Sequence, residues 1–378
     1  MPITSTLIAK TQQKLLQPQT VPLQAVIGFD GFVDEICDVV DKRASGDSYS
    51  RIETIKEYGD RISRAGGLST NLELVPKVVK LGGNGPIMVN ALNAQGVSIT
   101  YIGALGDPTL HPVFTELASR VQAYSIAEPA HTDALEFKDG KIMMGKLESL
   151  KNITWERLIA RVPVATLREL CRHTQLIASL NWTMLPYLTE LWQHFIQEVL
   201  ATITFAVPPF IFFDIADPEK RTATEISTAL QTIQEFNKYG RAILGLNRKE
   251  ATVIAQVLGL QIERPEQAAL KQITCTIAQA LSIYGVVVHP SDKAACFVAG
   301  EYYEIEGPYT TQPKLTTGAG DNFNAGFCYG GLRGCSPEES LVIGCGVSGF
   351  YVRHGHSPSQ AELTEFLDTW AKHIGEEF

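Results

Sequence analysis

The second half of the chain alternates between short apolar runs and amphipathic segments, and this alternation constrains the fold most strongly. Residues 175–180 and 210–215 are apolar runs of strand length. They are followed by segments at 186–200 and 222–239 whose apolar residues are spaced three and four apart. Strands that alternate with helices predict a parallel sheet with helices on both faces. Ligands of such sheets bind at the carboxyl ends of the strands, so polar residues that follow a strand are the candidate site residues.

Composition supports one domain over residues 1–378. The chain is 45% hydrophobic and 19% charged, which is enough apolar material for a large core. A net charge of −9 without a basic run argues against nucleic acid as the main partner. The seven cysteines are scattered and form no CxxC pair, which is typical of reduced thiols. We find no signal-peptide pattern and no apolar run of membrane-spanning length, so we expect a cytoplasmic protein without a membrane partner.

A turn of small residues, Gly318-Ala319-Gly320, leads directly into a segment with helical spacing. Several backbone N–H groups in such a turn can point at one anion, and the start of the helix adds partial positive charge. Asp321 then lies in the first helical turn. Its carboxylate has two interpretations, a helix cap or a general base beside an anion-binding turn, and the local pattern leaves both open.

The longer stretch 315–327 resembles the signature DTxGAGDxFxAGF of ribokinase-like (PfkB) sugar kinases, although Leu315 stands where that family usually has Asp. The resemblance implies an α/β fold, a ribokinase-like three-layer sandwich with a mostly parallel central sheet and a small β-sheet lid. It also implies transfer of the γ-phosphate of ATP to a sugar hydroxyl. Asp321 would then be the general base, and the N–H groups of Gly318, Ala319 and Gly320 would form the anion hole.

Two acids follow the first predicted strand, at Asp30 and Asp34. By themselves they are consistent with either a turn bearing exposed acids or a binding site at a strand end. The resemblance implies that one of them binds sugar hydroxyls, and Asp34 has the better spacing. A carboxylate suits this role because it accepts hydrogen bonds from two hydroxyls after water has left.

Two Gly-Gly segments compete for the substrate loop, 66–71 and 82–90. The first matches the family pattern GGxxxN literally, and the second matches its position along the chain. We assign the loop to the second segment, with Gly82, Gly83, Asn84 and Asn90 as substrate-binding candidates. The pattern GGNxxIMxN of this segment resembles ADP-dependent sugar kinases of the same superfamily more closely, so ADP remains an alternative phosphoryl donor.

Asn247 and Glu250 follow a predicted strand and open a helix. This spacing is typical of a capping box, whereas the resemblance implies that the pair helps to hold Mg²⁺ and its waters near the nucleotide phosphates. The resemblance also places the nucleotide near Asn247, His289, Lys293, Gly346 and Ser357, although an exposed or structurally satisfied side chain is the alternative for His289.

The lid is expected from two separate segments, approximately 33–63 and 121–147. The second contains an Asp139-Gly140 turn between alternating strands, which predicts a β-hairpin. The expected partners are a small sugar and a nucleotide, and a homodimer through the lid is a further option. Alternatives to an ATP-dependent sugar kinase are an ADP-dependent kinase, a nucleoside kinase and an inactive sugar- or nucleotide-binding regulator.

Overall fold

The computed structural model describes residues 3–262, 264 and 266–378. The strands are β1 (Gln24–Phe29), β2 (Phe32–Arg43), β3 (Tyr49–Arg51), β4 (Leu74–Gly82), β5 (Ser98–Gly103), β6 (Gln122–Ser125), β7 (Ala130–Phe137), β8 (Gly140–Lys146), β9 (Leu176–Ser179), β10 (Phe210–Asp214), β11 (Arg241–Leu246), β12 (Gly285–Val288), β13 (Lys293–Val298) and β14 (Glu301–Glu306). The helices are α1 (Ser5–Leu16), α2 (Ile55–Arg64), α3 (Asn84–Ala94), α4 (Thr115–Arg120), α5 (Trp155–Arg161), α6 (Val164–His173), α7 (Leu188–Glu198), α8 (Ala223–Phe236), α9 (Arg248–Val257), α10 (Leu270–Leu281), α11 (Ala319–Leu332), α12 (Pro337–His354) and α13 (Gln360–Lys372).

The large sheet has the strand order β14-β13-β12-β11-β10-β9-β1-β5-β6. All neighbouring pairs from β12 to β6 are parallel, and β13 and β14 add an antiparallel edge. The central strands β1, β9 and β10 are buried along nearly their whole length. Burial on both faces explains why these strands are continuous apolar runs in the sequence, without polar alternation.

Helices cover both faces of the large sheet, so the domain has three layers. One core packs α5 to α10 against one face, and a second core packs α1, α3, α4 and α11 to α13 against the other. This arrangement confirms the predicted three-layer α/β sandwich with a mostly parallel central sheet.

A second, smaller sheet has the order β3-β2-β7-β8, and β4 also pairs with β2. Asp30 and Gly31 alone connect β1 of the large sheet to β2 of the small sheet. Gly31 is required at this corner because a Cβ atom there would lie 1.9 Å from the carbonyl oxygen of Ala104. The corner therefore holds the small sheet at the carboxyl edge of the large one.

Only parts of the two segments proposed for the lid, 33–63 and 121–147, lie in the small sheet. Residues 55–64 form α2 and not a strand. Ile55, Tyr58 and Ile62 have the spacing of one helix face, and Ile55 and Tyr58 pack half-buried against the core of the small sheet. Strand β6 joins the edge of the large sheet, and only the β7–β8 hairpin of the second segment belongs to the small one. Strand β4 also belongs to the small sheet, although it lies outside both of these segments. It contains Pro76, and proline is rare in strands, so the sequence gives little indication of a strand here. Pro76 lies where the register between β4 and β2 shifts.

Glu339 fastens the first helix to the rest of the domain. Its side chain is 1% exposed and lies 3.1 Å from both Lys10 Nζ and Lys14 Nζ of α1. It also accepts a hydrogen bond from the N–H of Ser336 at 2.7 Å. Burial alone would raise the pKa of Glu339, but the Ser336 N–H and the two lysines outweigh burial and hold that pKa at about 2.

We expect Glu339→Gln to lower the free energy of unfolding by about 2 kcal/mol near neutral pH, since it removes a charged acceptor from a buried network. A carboxylate whose pKa is lowered on folding stabilises the protein above its unfolded pKa and loses this effect as the pH falls toward 2. The difference between the wild type and the variant should therefore shrink below about pH 4.5 in urea titrations. Glu338→Gln, which removes the same charge without these contacts, is the control; an equal effect of both variants would contradict the assignment.

Candidate active site

A cleft of about 330 Å³ lies at the carboxyl edge of the parallel strands, beneath the small sheet. Its walls come from strand ends, from the starts of α3, α9 and α11, and from the β7–β8 hairpin. The lining residues are Phe32, Asp34, Gly83, Asn84, Ile87, Thr132, Met143, Asn181, Met184, Ala216, Asp217, Glu250, Thr317, Gly318 and Asp321. Six residues proposed from the sequence thus lie around one cavity: Asp34, Gly83, Asn84, Glu250, Gly318 and Asp321.

The turn before α11 has the backbone conformation expected of an anion-binding loop. Gly318 has a φ of 90° and caps α11 in the left-handed region, where glycine is favoured. A Cβ atom at this position would also lie 2.9 Å from the Tyr351 hydroxyl oxygen. That hydroxyl donates to the carbonyl oxygen of Thr317 at 2.8 Å, so α12, which carries Tyr351, helps to hold the turn in place.

The amides of this turn are not equally free. The N–H of Ala319 donates to the carbonyl oxygen of Thr316 at 3.1 Å, so the structure does not favour Ala319 as an anion donor. In the part of the chain that the structure describes, the N–H groups of Gly320 and Asp321 have no hydrogen-bond partner. They are the first-turn amides of a helix, which have no acceptor within the helix.

Asp321 does not act as a helix cap. Its Oδ1 accepts a hydrogen bond from Asn84 Nδ2 at 2.8 Å, across the cleft on another helix. The side chain is buried, and burial raises the pKa of Asp321 well above its ordinary value, with Asp214 as a further cause and Asp30 and Glu250 as smaller ones. The donor from Asn84 acts in the opposite direction because it stabilises the ionised carboxylate.

Asp34 and Asp30 have different environments. Asp34 lies on β2 and faces the cleft; burial raises its pKa, while Thr132 and Lys80 lower it. Asp30 is fully buried and does not line the cleft. The prediction that Asp30 binds substrate is therefore wrong in geometry, because its carboxylate is already used by neighbouring groups of the protein.

The Gly82-Gly83-Asn84-Gly85 loop packs directly on these two carboxylates. A Cβ atom at Gly82 would lie 2.3 Å from Asp34 Oδ2, and one at Gly83 would lie 2.8 Å from Asp30 Oδ2. Gly83 also has a φ of 101°. The alternative Gly-Gly segment, residues 66–71, is an exposed stretch after α2 and does not line the cleft.

Asn90 lies outside the cleft, contrary to the prediction. Its Oδ1 accepts a hydrogen bond from Arg120 at 2.9 Å. Six residues along an α-helix correspond to a rotation of about 240°, so Asn84 and Asn90 lie on different faces of α3. Ile87, one helical turn after Asn84, is the residue that shares its face and lines the cleft.

Asn247 and Glu250 form a capping box at the start of α9. Asn247 Oδ1 accepts from the N–H of Glu250 at 2.9 Å, and Glu250 Oε2 accepts from the N–H of Asn247 at 2.8 Å. Glu250 also lines the cleft, and its Oε1 accepts from the N–H of Asp217. The capping interpretation is therefore correct for the local structure, and it leaves the glutamate at the cleft.

The remaining nucleotide candidates do not line this cleft. His289 packs against the Phe323 ring at 4.6 Å, and burial lowers its pKa to about 4, so it is neutral at pH 7 and carries no charge for a phosphate. Lys293 Nζ lies 3.7 Å from Glu304 on the neighbouring strand.

A Cβ atom at Gly346 would lie 2.9 Å from Leu367, which identifies a site of contact between α12 and α13. Ser357 donates to Asn322, which in turn donates to the carbonyl oxygen of Gly318.

Sequence reasoning missed several residues at the strand ends. Asn181, Ala216 and Asp217 have positive φ values of 58°, 38° and 44°, and all three line the cleft. Left-handed non-glycine residues are concentrated at functional sites. Asp214 lies below them with its pKa raised to about 8 by burial and by the charge of Glu250. Polar residues directly after β9 and β10 were the available signal.

Within residues 3–262, 264 and 266–378, no group of three or more His, Cys, Asp or Glu side chains is arranged to hold a metal ion by itself. None of the helices there has both the length and the apolar character needed to cross a bilayer.

Comparisons with known proteins identify the family and the fold. The family model for prokaryotic ketohexokinases matches residues 3–370. A ketohexokinase from Haloferax volcanii is 28% identical over 91% of this chain and 90% of its own length. Among solved structures, Arabidopsis thaliana ribokinase complexed with ribose and ATP is 17% identical and has a TM-score of 0.62, covering 92% of this chain and 99% of that one. Cryptococcus neoformans ribokinase in complex with ADP is 16% identical with a TM-score of 0.61 and the same coverage.

We expect Gly85→Ala to disrupt the cleft. A Cβ atom there would lie 2.4 Å from the Tyr101 hydroxyl and 2.6 Å from Asp30 Oδ1, so the start of α3 would have to move. The variant should unfold at a lower temperature and lose most ligand binding, as measured by thermal shift with and without ligands. Gly59→Ala on α2, where a Cβ atom meets nothing within 4 Å, is the matched control and should be neutral or slightly stabilising. A Gly85→Ala protein that behaves like the control would contradict this account of the loop.

Proposed function

The chain belongs to the prokaryotic ketohexokinase family and is a ribokinase-like carbohydrate kinase, and on this premise we propose that it transfers the γ-phosphate of ATP to a hydroxyl of a ketohexose. The observation that carries the proposal is the position of Asp321. Its buried carboxylate lies at the start of α11, beside the left-handed turn at Gly318 and in the same cleft as Asp34. A base, an anion-binding turn and a hydroxyl-binding carboxylate are the groups that this reaction requires.

In the proposed reaction the sugar hydroxyl oxygen forms a bond to the γ-phosphorus, and the bond from that phosphorus to the β–γ bridging oxygen breaks. The hydroxyl proton passes to Asp321, and ADP leaves with the electron pair of the broken bond. Oδ2 of Asp321 is the oxygen for this role, because Oδ1 already accepts from Asn84. The N–H groups of Gly320 and Asp321 would bind the transferred phosphoryl group at the positive end of α11.

The sugar would lie between Asp34 and Asp321. Asp34 accepts hydrogen bonds from substrate hydroxyls in this proposal, and Met143 of the β7–β8 hairpin covers the cleft from above. Burial by the small sheet would exclude water, which would otherwise compete with the sugar as phosphoryl acceptor.

The carboxyl groups beside the cleft fit a divalent cation. Burial is the main cause that raises the pKa values of Asp214 and Glu250, and mutual repulsion adds to it in Asp214. A cation would relieve that repulsion, and Mg²⁺ characteristically uses one or two carboxylates together with waters and phosphates. Glu250 is the protein residue that we propose to hold it, with Asn247 ordering the start of the same helix. When bound, Mg²⁺ supplies positive charge near the phosphates.

We expect Asp321→Asn to fold normally, since the amide has the same shape, and to lower kcat by roughly 10²–10⁴-fold, the usual range for a positioned general base. This corresponds to about 3–5 kcal/mol of activation free energy. The assay is phosphorylation of ketohexoses, aldohexoses, pentoses and nucleosides with ATP or ADP as donor. Asp368→Asn, an exposed position on α13, is the control. Turnover within about threefold of the wild type would reject Asp321 as the base, and a preference for a nucleoside or for ADP would reject the proposed substrate or donor.

We expect Glu250→Gln to raise the Mg²⁺ concentration needed for half-maximal rate by about tenfold or more, while sugar binding changes little. Glutamine preserves the capping box, so the helix start should remain intact. A Mg²⁺ titration of the rate, with sugar affinity measured separately by calorimetry, tests this expectation. An unchanged Mg²⁺ titration would reduce the role of Glu250 to that of a cap.

A further inference from the structure

Asp30 is the most completely enclosed acid beside the cleft, and its carboxylate accepts hydrogen bonds from three elements. Oδ2 accepts from the N–H of Asn84 at 2.9 Å and from Asn181 Nδ2 at 2.8 Å. Oδ1 accepts from the N–H of Gly85 at 2.9 Å, and the Tyr101 hydroxyl lies 3.3 Å from it. The same hydroxyl donates to the carbonyl oxygen of Asp30 at 2.5 Å. Both oxygens of this side chain are therefore engaged by groups of the protein, and two of those groups are the first amides of α3.

Asn84 links Asp30 to Asp321. Its backbone N–H is fixed by Asp30, while its side-chain Nδ2 donates to Asp321 Oδ1 at 2.8 Å. Asn84 is the first residue of α3 and Asp321 is in the first turn of α11, so this bond joins two helix starts across the cleft. It fixes the rotation of the Asp321 carboxylate and leaves Oδ2 for another partner.

We propose that Asn84 is a positioning residue that orients the Asp321 carboxylate for proton abstraction, and that the buried carboxylate of Asp30 holds Asn84 in place for this purpose. The inference rests on the proposed function, because it assigns Asp321 the role of base. It also changes the roles expected for both residues, since neither Asn84 nor Asp30 needs to touch the sugar in order to affect the reaction.

The electrostatic surroundings explain why such a donor matters. The groups that act on Asp321 are the carboxyls of Asp214 on β10, Asp30 after β1 and Glu250 on α9, all of which raise its pKa. The Tyr351 hydroxyl on α12 is also close enough to interact with it electrostatically. Among the described residues, Asn84 is the side chain that donates to this carboxylate and so lowers the pKa of Asp321. Loss of the donor should therefore favour the protonated acid, which cannot accept a proton.

The first experiment uses Asn84→Ala in the full chain, with Asn90→Ala as the matched control. Asn90 is an amide on the same helix that contacts Arg120 outside the cleft. We expect Asn84→Ala to lower kcat by about tenfold to a hundredfold, the effect of a lost hydrogen bond to a charged group, with less than threefold change in the KM for nucleotide. The acidic limb of the pH–rate profile should move to higher pH by about one unit. Asn90→Ala should change neither quantity.

A second readout does not require activity. In protein labelled with ¹³Cγ-aspartate, the resonance of Asp321 is identified by its absence from the Asp321→Asn variant, and its titration is followed by NMR. Asn84→Ala should move the midpoint of this titration to higher pH, whereas Asn90→Ala should leave it unchanged. An unchanged midpoint and an unchanged kcat in Asn84→Ala would overturn the inference.

The Asp30 half of the proposal is tested by a double-mutant cycle. Asp30→Asn should lower kcat in the wild-type background but have less than twofold further effect in the Asn84→Ala background. If Asp30→Asn does not fold, Tyr101→Phe replaces it in the cycle, because it removes one hydroxyl that holds Asp30 and keeps the ring. Independent, multiplicative effects on kcat would show that Asp30 does not act through Asn84 and would overturn this half.

Failure of the inference is distinguishable from failure of the proposed function. A wild-type protein that phosphorylates no ketohexose would reject the proposed substrate, while the NMR titration would still decide whether Asn84 controls Asp321. A wild-type protein that is active, combined with an Asn84→Ala variant that resembles Asn90→Ala, would reject the inference alone.

Discussion

The hydrogen bonds that converge on the buried carboxylate of Asp30 are the interaction on which the architecture of the cleft depends. They connect the end of β1 to the start of α3, to Tyr101 of β5 and to Asn181 after β9. A buried carboxylate without such partners is strongly unfavourable, so each donor has to be in place when the domain folds. This requirement explains the glycines of the neighbouring loop, because a side chain at Gly83 or Gly85 would occupy the space that the carboxylate needs.

Several further acidic side chains lie close to this anchor. Burial, which disfavours the charged forms, raises the pKa of Asp30 to about 6 and that of Asp214 to about 8, and it also raises the pKa values of Glu250 and Asp321. Such an arrangement works against stability in the free protein. It is favourable for binding positive charge and for holding a proton acceptor away from water, and these requirements match phosphoryl transfer better than a purely structural role.

The two sheets contribute different parts of the cleft. The large parallel sheet supplies the strand ends and the helix starts, which fix the acids and the anion-binding turn. The small sheet supplies Asp34 from β2, Thr132 from β7 and Met143 from β8, which close the cleft from the other side. More spacious cavities exist, such as the one of about 800 Å³ between α12, α13 and the last residues. Size alone does not identify the site, because the buried acids and left-handed strand ends converge elsewhere.

The sequence by itself determined the layer architecture and the central residues of the cleft. The alternation of apolar runs and amphipathic segments specifies a parallel sheet with helices on both faces, because each pattern has its own period and burial. The stretch at Gly318–Asp321 and the segment at Gly82–Asn84 were identified from residue types and resemblance, and the structure places Gly83, Asn84, Gly318 and Asp321 around one cavity.

Only the tertiary structure decided which neighbouring polar residues face the cleft and which are used in contacts within the protein. Asp30 and Asp34 are four positions apart, yet one is enclosed by backbone amides and the other faces the cleft. Asn84 and Asn90 belong to one helix but differ by about 240° around its axis. Local sequence does not encode these directions, because they depend on contacts between elements that are distant along the chain.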